Sequence, residues 1–423
     1  MNRKEPPILK SFSPDIPKAP ETRYINRNIP LFLFPDATTD IFYLGIFTRA
    51  GQRSHSHPLV PSLTGQMLNE GTANFSATEL AEAIDYYGCS FMPETGKDTS
   101  ALHIYAPVRH AIPVTDLLFE MFSSPVFPKN RLALQLSQRL NSFRIDRQKV
   151  RTLAIEAFAR NIFGDQHPYG NVVTESHFSE VKQTHLQDFH AKFYKPSNSY
   201  FVLGGNIPGD MPEILTRLFG AENKSKKISE PAYKLRENKE KKIFIPVDNA
   251  VQSAIRIGFA TINKQNPDYP LLQLLSFVLG GYFGSRLQRN IREDKGYTYG
   301  INSMLVSLAD CGYFAIVTEA GASVCKPALN EIYKEIDLLK KKKIGETELN
   351  TVKQYLAGEF MRMFDGFTQN ISTWRACYDF GMDYNYLKRY YNTIIKATPG
   401  QLLDIANRYF IAENFHEIVA GKK

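Results

Sequence analysis

Strict alternation of apolar and polar residues predicts short strands at several places along the chain. The segment "DTSALHIYAPV" (98–108) alternates as a half-buried strand does, and "SNSYFVLGGNI" (197–207) is predicted as a further strand. Another such segment begins at residue 40, where "DIFYLGIFT" precedes a polar loop and an apolar helix. The sequence therefore predicts several β-strands.

Helices are predicted where the apolar spacing changes to three and four residues. The segment "NFSATELAEAIDYYG" (74–88) has Ser76 as N-cap and Glu79 three positions later, which is a capping box, and Gly88 ends the pattern. A long helix is predicted over 127–148. Strands without regular strand–helix–strand alternation, together with paired helices, predict an α+β fold: mostly antiparallel sheets, each with helices packed on one face.

An internal repeat is the strongest signal in the whole sequence. The segment "DIFYLGIFTRAGQRSHSHPLVPSLTGQML" from residue 40 matches "QSAIRIGFATINKQNPDYPLLQLLSFVLGG" from residue 252 in pattern. Each runs from an alternating strand through a polar loop to Pro-Leu and an apolar helix. A chain of 423 residues exceeds one ordinary core, so two copies of one fold explain its length.

The repeat and a polar stretch between its copies set the domain boundaries. We expect an N-terminal domain over 1–220, a linker over 221–242 and a homologous C-terminal domain over 243–423. The linker region is rich in lysine and glutamate and has little periodicity. Its composition is that of a solvated connection.

Composition and charge exclude several classes of function. The net charge is +8, but the basic residues are scattered apart from "KKKK" (340–343) and the linker region, so no nucleic-acid partner is expected. The first twenty residues lack the apolar segment of a signal peptide, and no apolar run reaches the ~18 residues of a membrane span. Four cysteines lie far apart and predict reduced thiols. We therefore expect a cytoplasmic protein without a membrane partner.

Three motifs give the chain a family resemblance. The segments "MLNEGT" (67–72), "FGDQHPYG" (163–170) and "SRLQRNIREDKGYTYG" (285–300), together with the duplication, resemble the insulinase/pitrilysin-type metallopeptidases. The branch that is most similar is the mitochondrial-processing-peptidase-like one. The resemblance covers nearly the whole chain and implies the duplicated α+β fold of that family.

The resemblance also implies where a zinc motif would lie. The family carries H-x-x-E-H on the first helix of its first domain, with two histidines as zinc ligands and the glutamate as base. Here "SLTGQMLNEGT" (62–72) puts Ser62 and Gln66 at the histidine positions and Gly65 at the glutamate position, and Ser142 matches the third ligand. None of these residues is a good zinc ligand or a base. The resemblance thus predicts an inactive first domain and no metal in this chain.

Other histidines do not restore a metal site. His55 and His57 lie in a loop with no carboxylate nearby in sequence, and we interpret them as exposed loop residues. His103 falls in the strand at 98–108 and His167 in a loop after a helix, and both are interpreted as structural.

The second half matches the family at two further positions. Arg292 and Tyr299 correspond to an arginine and a tyrosine that, in the family, reach across a closed chamber towards the zinc site. By resemblance, the tyrosine hydroxyl donates to the developing oxyanion and the arginine holds a substrate carbonyl. Tyr297, on the opposite strand face, is interpreted as a packing residue.

A first half that lacks the zinc ligands, beside a second half that keeps Arg292 and Tyr299, is typical of one subunit of a heterodimer. We expect a homologous H-x-x-E-H partner that carries zinc and cleaves peptides or unfolded protein, with this chain as the non-catalytic subunit. A homodimer in isolation would enclose an inactive chamber. The alternative is a proteolytically inactive scaffold or peptide-binding protein of the same fold.

Overall fold

The computed structural model describes residues 16–221, 228 and 233–422. Residues 1–15, which contributed to the expected location, lie outside the described residues. Part of the predicted linker (222–227 and 229–232) lies outside them as well.

The first half contains a six-stranded sheet in the order β1-β2-β6-β3-β5-β4. Its strands pair antiparallel except for β2 and β6, which are parallel. The bounds of these strands are Glu21–Tyr24 (β1), Pro30–Pro35 (β2), Ile41–Thr48 (β3), Ser90–Thr95 (β4), Ser100–Pro107 (β5) and Ser199–Gly205 (β6).

Eight α-helices accompany this sheet in the described part of the first half. They are Val60–Gln66 (α1), Ala77–Tyr86 (α2), Ala111–Ser123 (α3), Lys129–Asp146 (α4), Val150–Phe163 (α5), Glu175–Glu180 (α6), Gln183–Phe193 (α7) and Met211–Phe219 (α8). Short 3-10 turns occupy Gln52–Ser54, Val108–His110 and Pro196–Asn198. The Ser76–Glu79 capping box that predicted α2 is present, because each side chain accepts from the other's backbone N–H.

The second half contains a five-stranded sheet in the order β7-β11-β8-β10-β9. Its strands are Lys242–Pro246 (β7), Gln252–Thr261 (β8), Thr298–Ser307 (β9), Gly312–Gly321 (β10) and His416–Gly421 (β11). The helices are Tyr269–Ser276 (α9), Cys325–Lys341 (α10), Glu346–Arg362 (α11), Gly366–Tyr378 (α12), Tyr384–Lys396 (α13) and Pro399–Tyr409 (α14). π-helical turns cover Phe277–Gly281 and Gln288–Asp294, and 3-10 turns cover Ala322–Val324 and Ala412–Asn414.

The two sheets have the same topology, as the repeat predicts. The order β2-β6-β3-β5-β4 corresponds strand by strand to β7-β11-β8-β10-β9, and each sheet has its one parallel pair at the same place among the described strands. The α+β prediction with two homologous halves is confirmed. Each half also buries a core of its own between one sheet face and its helices.

The opposite face of each sheet is covered by the other half of the chain. Phe32 and Tyr200 of the first sheet pack against Trp374 of α12, with the Phe32 and Trp374 ring centroids 4.1 Å apart. Conversely, Phe158 and Ile162 of α5 pack on the second sheet. This reciprocal cover joins the halves through apolar contacts, and it adds a second layer to the one-face packing that the sequence predicts.

The described residues form no helix long and apolar enough to cross a membrane. Cys311, Cys325 and Cys377 are buried and Cys89 is half-buried.

Candidate functional site

Helix α1 carries the three residues at the predicted zinc-motif positions. Pro61 lies in its first turn, and Leu63 is fully buried against the first sheet, which fixes the helix on the core. Ser62 and Gln66 are four residues apart and therefore share the outer face. Met67 and Leu68, directly after the helix, are also fully buried, so the segment keeps its structural role.

An arginine of α4 lies between the two former ligand positions. The guanidinium of Arg139 donates to Ser62 Oγ at 3.0 Å, to the Ser62 carbonyl oxygen at 3.3 Å and to Gln66 Oε1. Burial lowers the pKa of Arg139 to about 10, so it remains cationic at neutral pH. The Arg139 guanidinium thus joins α1 to α4 at the predicted zinc-ligand positions.

A second set of bonds holds the same two segments together. Glu70, which is buried, accepts from Arg131 and, at 2.8 Å, from Gln135, both on α4. Arg131, Gln135 and Arg139 recur every four residues and therefore form one face of α4. The side chains on that face donate hydrogen bonds to α1 and to the segment that follows it.

Ser142 and Gly65 lie apart from these bonds. Ser142 is exposed one turn beyond Arg139, and among the described residues no hydrogen bond joins it to Ser62 or Gln66. Gly65 is buried, and a Cβ at that position would lie 3.0 Å from Thr95 Oγ1 and 3.3 Å from the Tyr194 hydroxyl. The position predicted for the base is therefore closely packed and carries no side chain that could act as a base.

The zinc of the family does not fit these residues. Serine, glutamine and a protonated guanidinium supply neither imidazole nor carboxylate, and the guanidinium repels a divalent cation. Within the described ranges, no group of three or more His, Cys, Asp and Glu side chains is placed to hold a metal ion.

The loop histidines are less exposed than the sequence suggested. His55 and His57 are both half-buried, so their interpretation as exposed residues is wrong. The His57 ring lies 4.9 Å from the His177 ring, and its Nε2 is 3.7 Å from Glu180. Burial, followed by the nearby His177, lowers the pKa of His57 and favours its neutral form. By contrast, His103 is satisfied by Tyr43 and Glu94, as predicted for a structural residue.

Arg292 lies in the π-helical turn before β9. Its guanidinium stacks over the Phe283 ring at 4.1 Å and has only a long ion pair, 3.9 Å, to Glu293. Its Nη1 is buried and has no hydrogen-bond partner among the described residues. Stacking on Phe283 therefore fixes the orientation of the Arg292 guanidinium.

Tyr299 projects from a bulge in β9. Ile301 pairs with Thr318 and Thr298 with Ala320, so Tyr299 and Gly300 together lie opposite one residue, Glu319. The Tyr299 side chain is 93% exposed, whereas Tyr297 packs against the core of the second half, as predicted. Gly296, with φ +64°, forms the turn that brings the chain from the helix into β9.

These residues form two separate groups in the described part of the chain. No hydrogen bond or ion pair there connects Arg292 or Tyr299 to Ser62, Gly65, Gln66 or Ser142, or Arg292 to Tyr299. The structure adds Arg139, which the sequence alone did not single out because the contact spans 73 and 77 residues.

The duplicated α+β fold, with no zinc ligand at the predicted zinc-motif positions, is consistent with an inactive homologue of a metallopeptidase. Residues 180–356 match the family described as the peptidase M16 inactive domain. The resemblance stated from the sequence is confirmed, and the match is consistent with a proteolytically inactive homologue.

Two curated relatives are similar over most of the chain. The "Uncharacterized zinc protease YmxG" of Bacillus subtilis is 23% identical over 359 residues, which cover 83% of this chain and 86% of the relative. The "Non-peptidase homolog YmxG" of Helicobacter pylori is 24% identical over 392 residues, which cover 89% and 88%. The two names differ on catalysis, so the residues of this chain have to decide the question.

Two solved structures share the fold. A peptidase M16 inactive domain from Pseudomonas fluorescens has a TM-score of 0.87 at 23% identity, covering 96% of this chain and 98% of that one. A protease from Helicobacter pylori has a TM-score of 0.85 at 17% identity, covering 96% and 100%. At these identities the likeness establishes the fold alone.

Proposed function

We propose that this chain is the zinc-free subunit of a heterodimeric zinc endopeptidase. It would close a chamber around a peptide or unfolded protein and present Arg292 and Tyr299 to the zinc site of a homologous H-x-x-E-H partner. The partner's zinc would activate water and polarise the scissile carbonyl. The cytoplasmic location expected from the sequence belongs to this proposal.

The observation that carries the proposal is the asymmetry between the two groups. In the first half, Arg139 donates hydrogen bonds to both Ser62 and Gln66, so the side chains at the predicted zinc-ligand positions have their partner within this chain. In the second half, Tyr299 is 93% exposed and Arg292 keeps a buried Nη1 without a partner in the described residues. The exposed Tyr299 side chain can therefore meet an acceptor that another molecule brings, and this supports the proposal.

The chemistry of the two side chains suits an oxyanion. A tyrosine hydroxyl and a guanidinium are donors whose hydrogen bonds strengthen as negative charge grows on a carbonyl oxygen. Stacking on Phe283 limits the motion of Arg292, which reduces the cost of orienting it towards substrate.

Peptidase activity and zinc content test the proposal. This chain would be assayed alone and then mixed with a homologue that is encoded beside it and carries H-x-x-E-H. We expect activity and bound zinc only in the mixture. Tyr299→Phe in this chain should lower the rate by about 100-fold, as for loss of one oxyanion donor.

Tyr86→Phe is the matched control, because Tyr86 is also strongly exposed, at 80%, but lies on α2. It should leave the rate of the mixture unchanged. If every mixture is inactive, or if Tyr299→Phe has no effect, the alternative function as a scaffold or peptide-binding protein replaces this proposal.

A further inference from the structure

A pocket of about 300 Å³ opens beside Tyr299 on the face of the second sheet that α5 covers. Its walls come from both halves: Arg151 from the first turn of α5, and residues of β8, β9 and β10 from the second half. Its size is at the lower end of small-ligand sites and suits one amino-acid side chain or a chain terminus.

The pocket carries more positive than negative charge. Two arginines, Arg151 and Arg256, line it together with one carboxylate, Glu319. In the described residues, neither arginine has an ion pair within 4.0 Å. Arg256 is half-buried, and burial, with Arg151 adding to it, lowers its pKa. Two neighbouring cations without close counter-ions favour an anion from outside.

The anion that fits best is a carboxylate. Arginine presents paired N–H donors in the geometry of a carboxylate, and bonds of this kind are shorter and stronger than neutral ones. Glu319 repels a ligand with several negative charges, so a single carboxylate is favoured over a phosphate. Because β9 is the last strand of its sheet, a peptide lying along it would bring its own carboxylates to this pocket.

We propose that Arg151 and Arg256 form a subsite for a peptide carboxylate beside Tyr299, taken either from a C-terminus or from an acidic side chain. The subsite deepens the proposed function, because it names a substrate feature recognised on the Tyr299 side, and it rests on that proposal for the ligand being a peptide. The pocket itself lies wholly within this chain, so binding there does not require the partner.

Fluorescence anisotropy on the purified chain alone tests the subsite. The probes are unstructured ten-residue peptides with an N-terminal dye, each made with a free or an amidated C-terminus, and with glutamate or glutamine as the only variable side chain. We expect each carboxylate that the pocket uses to tighten binding by about tenfold, which is the worth of one charge-assisted contact. The four peptides thus separate a terminal from a side-chain source.

Substitutions of the pocket residues should change the affinity for the carboxylate peptide in opposite directions. Arg151→Gln and Arg256→Gln should each weaken binding of the carboxylate peptide about tenfold and leave the fully neutral peptide unchanged. Glu319→Gln should strengthen it, because a repulsive charge is lost. Arg27→Gln removes the same charge from an exposed position outside the pocket and should change nothing.

Two results would overturn the subsite. One is equal binding of the carboxylate and neutral peptides. The other is wild-type affinity in the Arg151→Gln, Arg256→Gln double variant with an unchanged melting temperature. Those results leave activity with a partner untouched, so they do not decide the proposed function. Conversely, an inactive mixture with carboxylate-dependent binding would keep the subsite and reject the endopeptidase.

Discussion

Arg139 of α4 donates a hydrogen bond of 3.0 Å to Ser62 of α1 and reaches Gln66 on the next turn. The two helix residues at the predicted zinc-ligand positions are thus bound by one side chain of the same polypeptide. Because the guanidinium is charged at neutral pH, the link between α1 and α4 does not depend on metal supply.

The first prediction concerns that link. Arg139→Gln should lower the free energy of unfolding by about 1–2 kcal/mol, because a charge-assisted contact to partly buried acceptors is lost. Urea unfolding followed by circular dichroism measures the change. Arg144→Gln is the control on the same helix: Arg144 pairs with Glu175 at the surface, and its loss should have a much smaller effect. Equal effects would show that Arg139 is only another surface arginine.

The second prediction concerns zinc. Restoring ligands with Ser62→His, Gln66→His and Ser142→Glu should give weak zinc binding as long as Arg139 is present, because its cation repels Zn²⁺ and holds the α1 side of the site. Adding Arg139→Ala should tighten binding at least about tenfold. Competition with a zinc-sensitive dye measures both proteins. Equal affinities would mean that Arg139 does not block the site.

The third prediction concerns the apolar contact between the halves. Trp374 is 6% exposed and stacks with Tyr378 at 4.6 Å, besides its contact with Phe32. Trp374→Ala should therefore lower the free energy of unfolding by about 3–5 kcal/mol, as large-to-small changes in a core do. Tyr86→Ala, at an exposed position, should stay within about 0.5 kcal/mol. A small effect of Trp374→Ala would indicate that the contact of α12 with the first sheet contributes little to stability.

The fourth prediction concerns the stability that Glu94 contributes at different pH values. The hydrogen bond from His103 and the charge of Arg375 lower the pKa of Glu94 from 4.5 to about 2. A carboxylate with a depressed pKa contributes stability that is complete above its unfolded pKa and is lost as the pH falls through the folded value. The stability gap between wild type and Glu94→Gln should thus be constant above about pH 5 and shrink between pH 4.5 and 2.

Urea unfolding at several pH values measures that gap. Glu82→Gln, an exposed carboxylate on α2, is a control whose gap should stay small at every pH. A gap for Glu94→Gln that is the same at pH 6 and pH 2.5 would contradict the role of the His103 and Arg375 contacts.

Local patterns explain why much of the fold could be predicted. The strand predicted at 98–108 is β5 (Ser100–Pro107), and the helix predicted at 127–148 is α4 (Lys129–Asp146). Alternation and capping depend on neighbours a few residues apart, so they can be recognised in one sequence. The repeat could be detected for the same reason, since each copy presents its own strand, loop and helix.

Contacts between distant segments explain what was missed. Nothing in the spacing of apolar residues tells which half covers a sheet face, so the exchange of α5 and α12 could not be predicted. Arg139 is 77 residues from Ser62, and its role follows only from how α4 packs on α1. The exposure of Tyr299 depends on a bulge, which is a property of register across two strands.

The exchange of covering helices has a consequence for synthesis on the ribosome. The first sheet is complete once β6 ends at Gly205, but α12 begins only at Gly366, about 160 residues later. At ~5–20 residues per second, the aromatic face of that sheet stays open to solvent for on the order of 10–30 s. Ribosome-stalled chains that end before residue 366 should therefore bind a hydrophobic-surface dye or a chaperone, and chains that extend well past Tyr378 should release it.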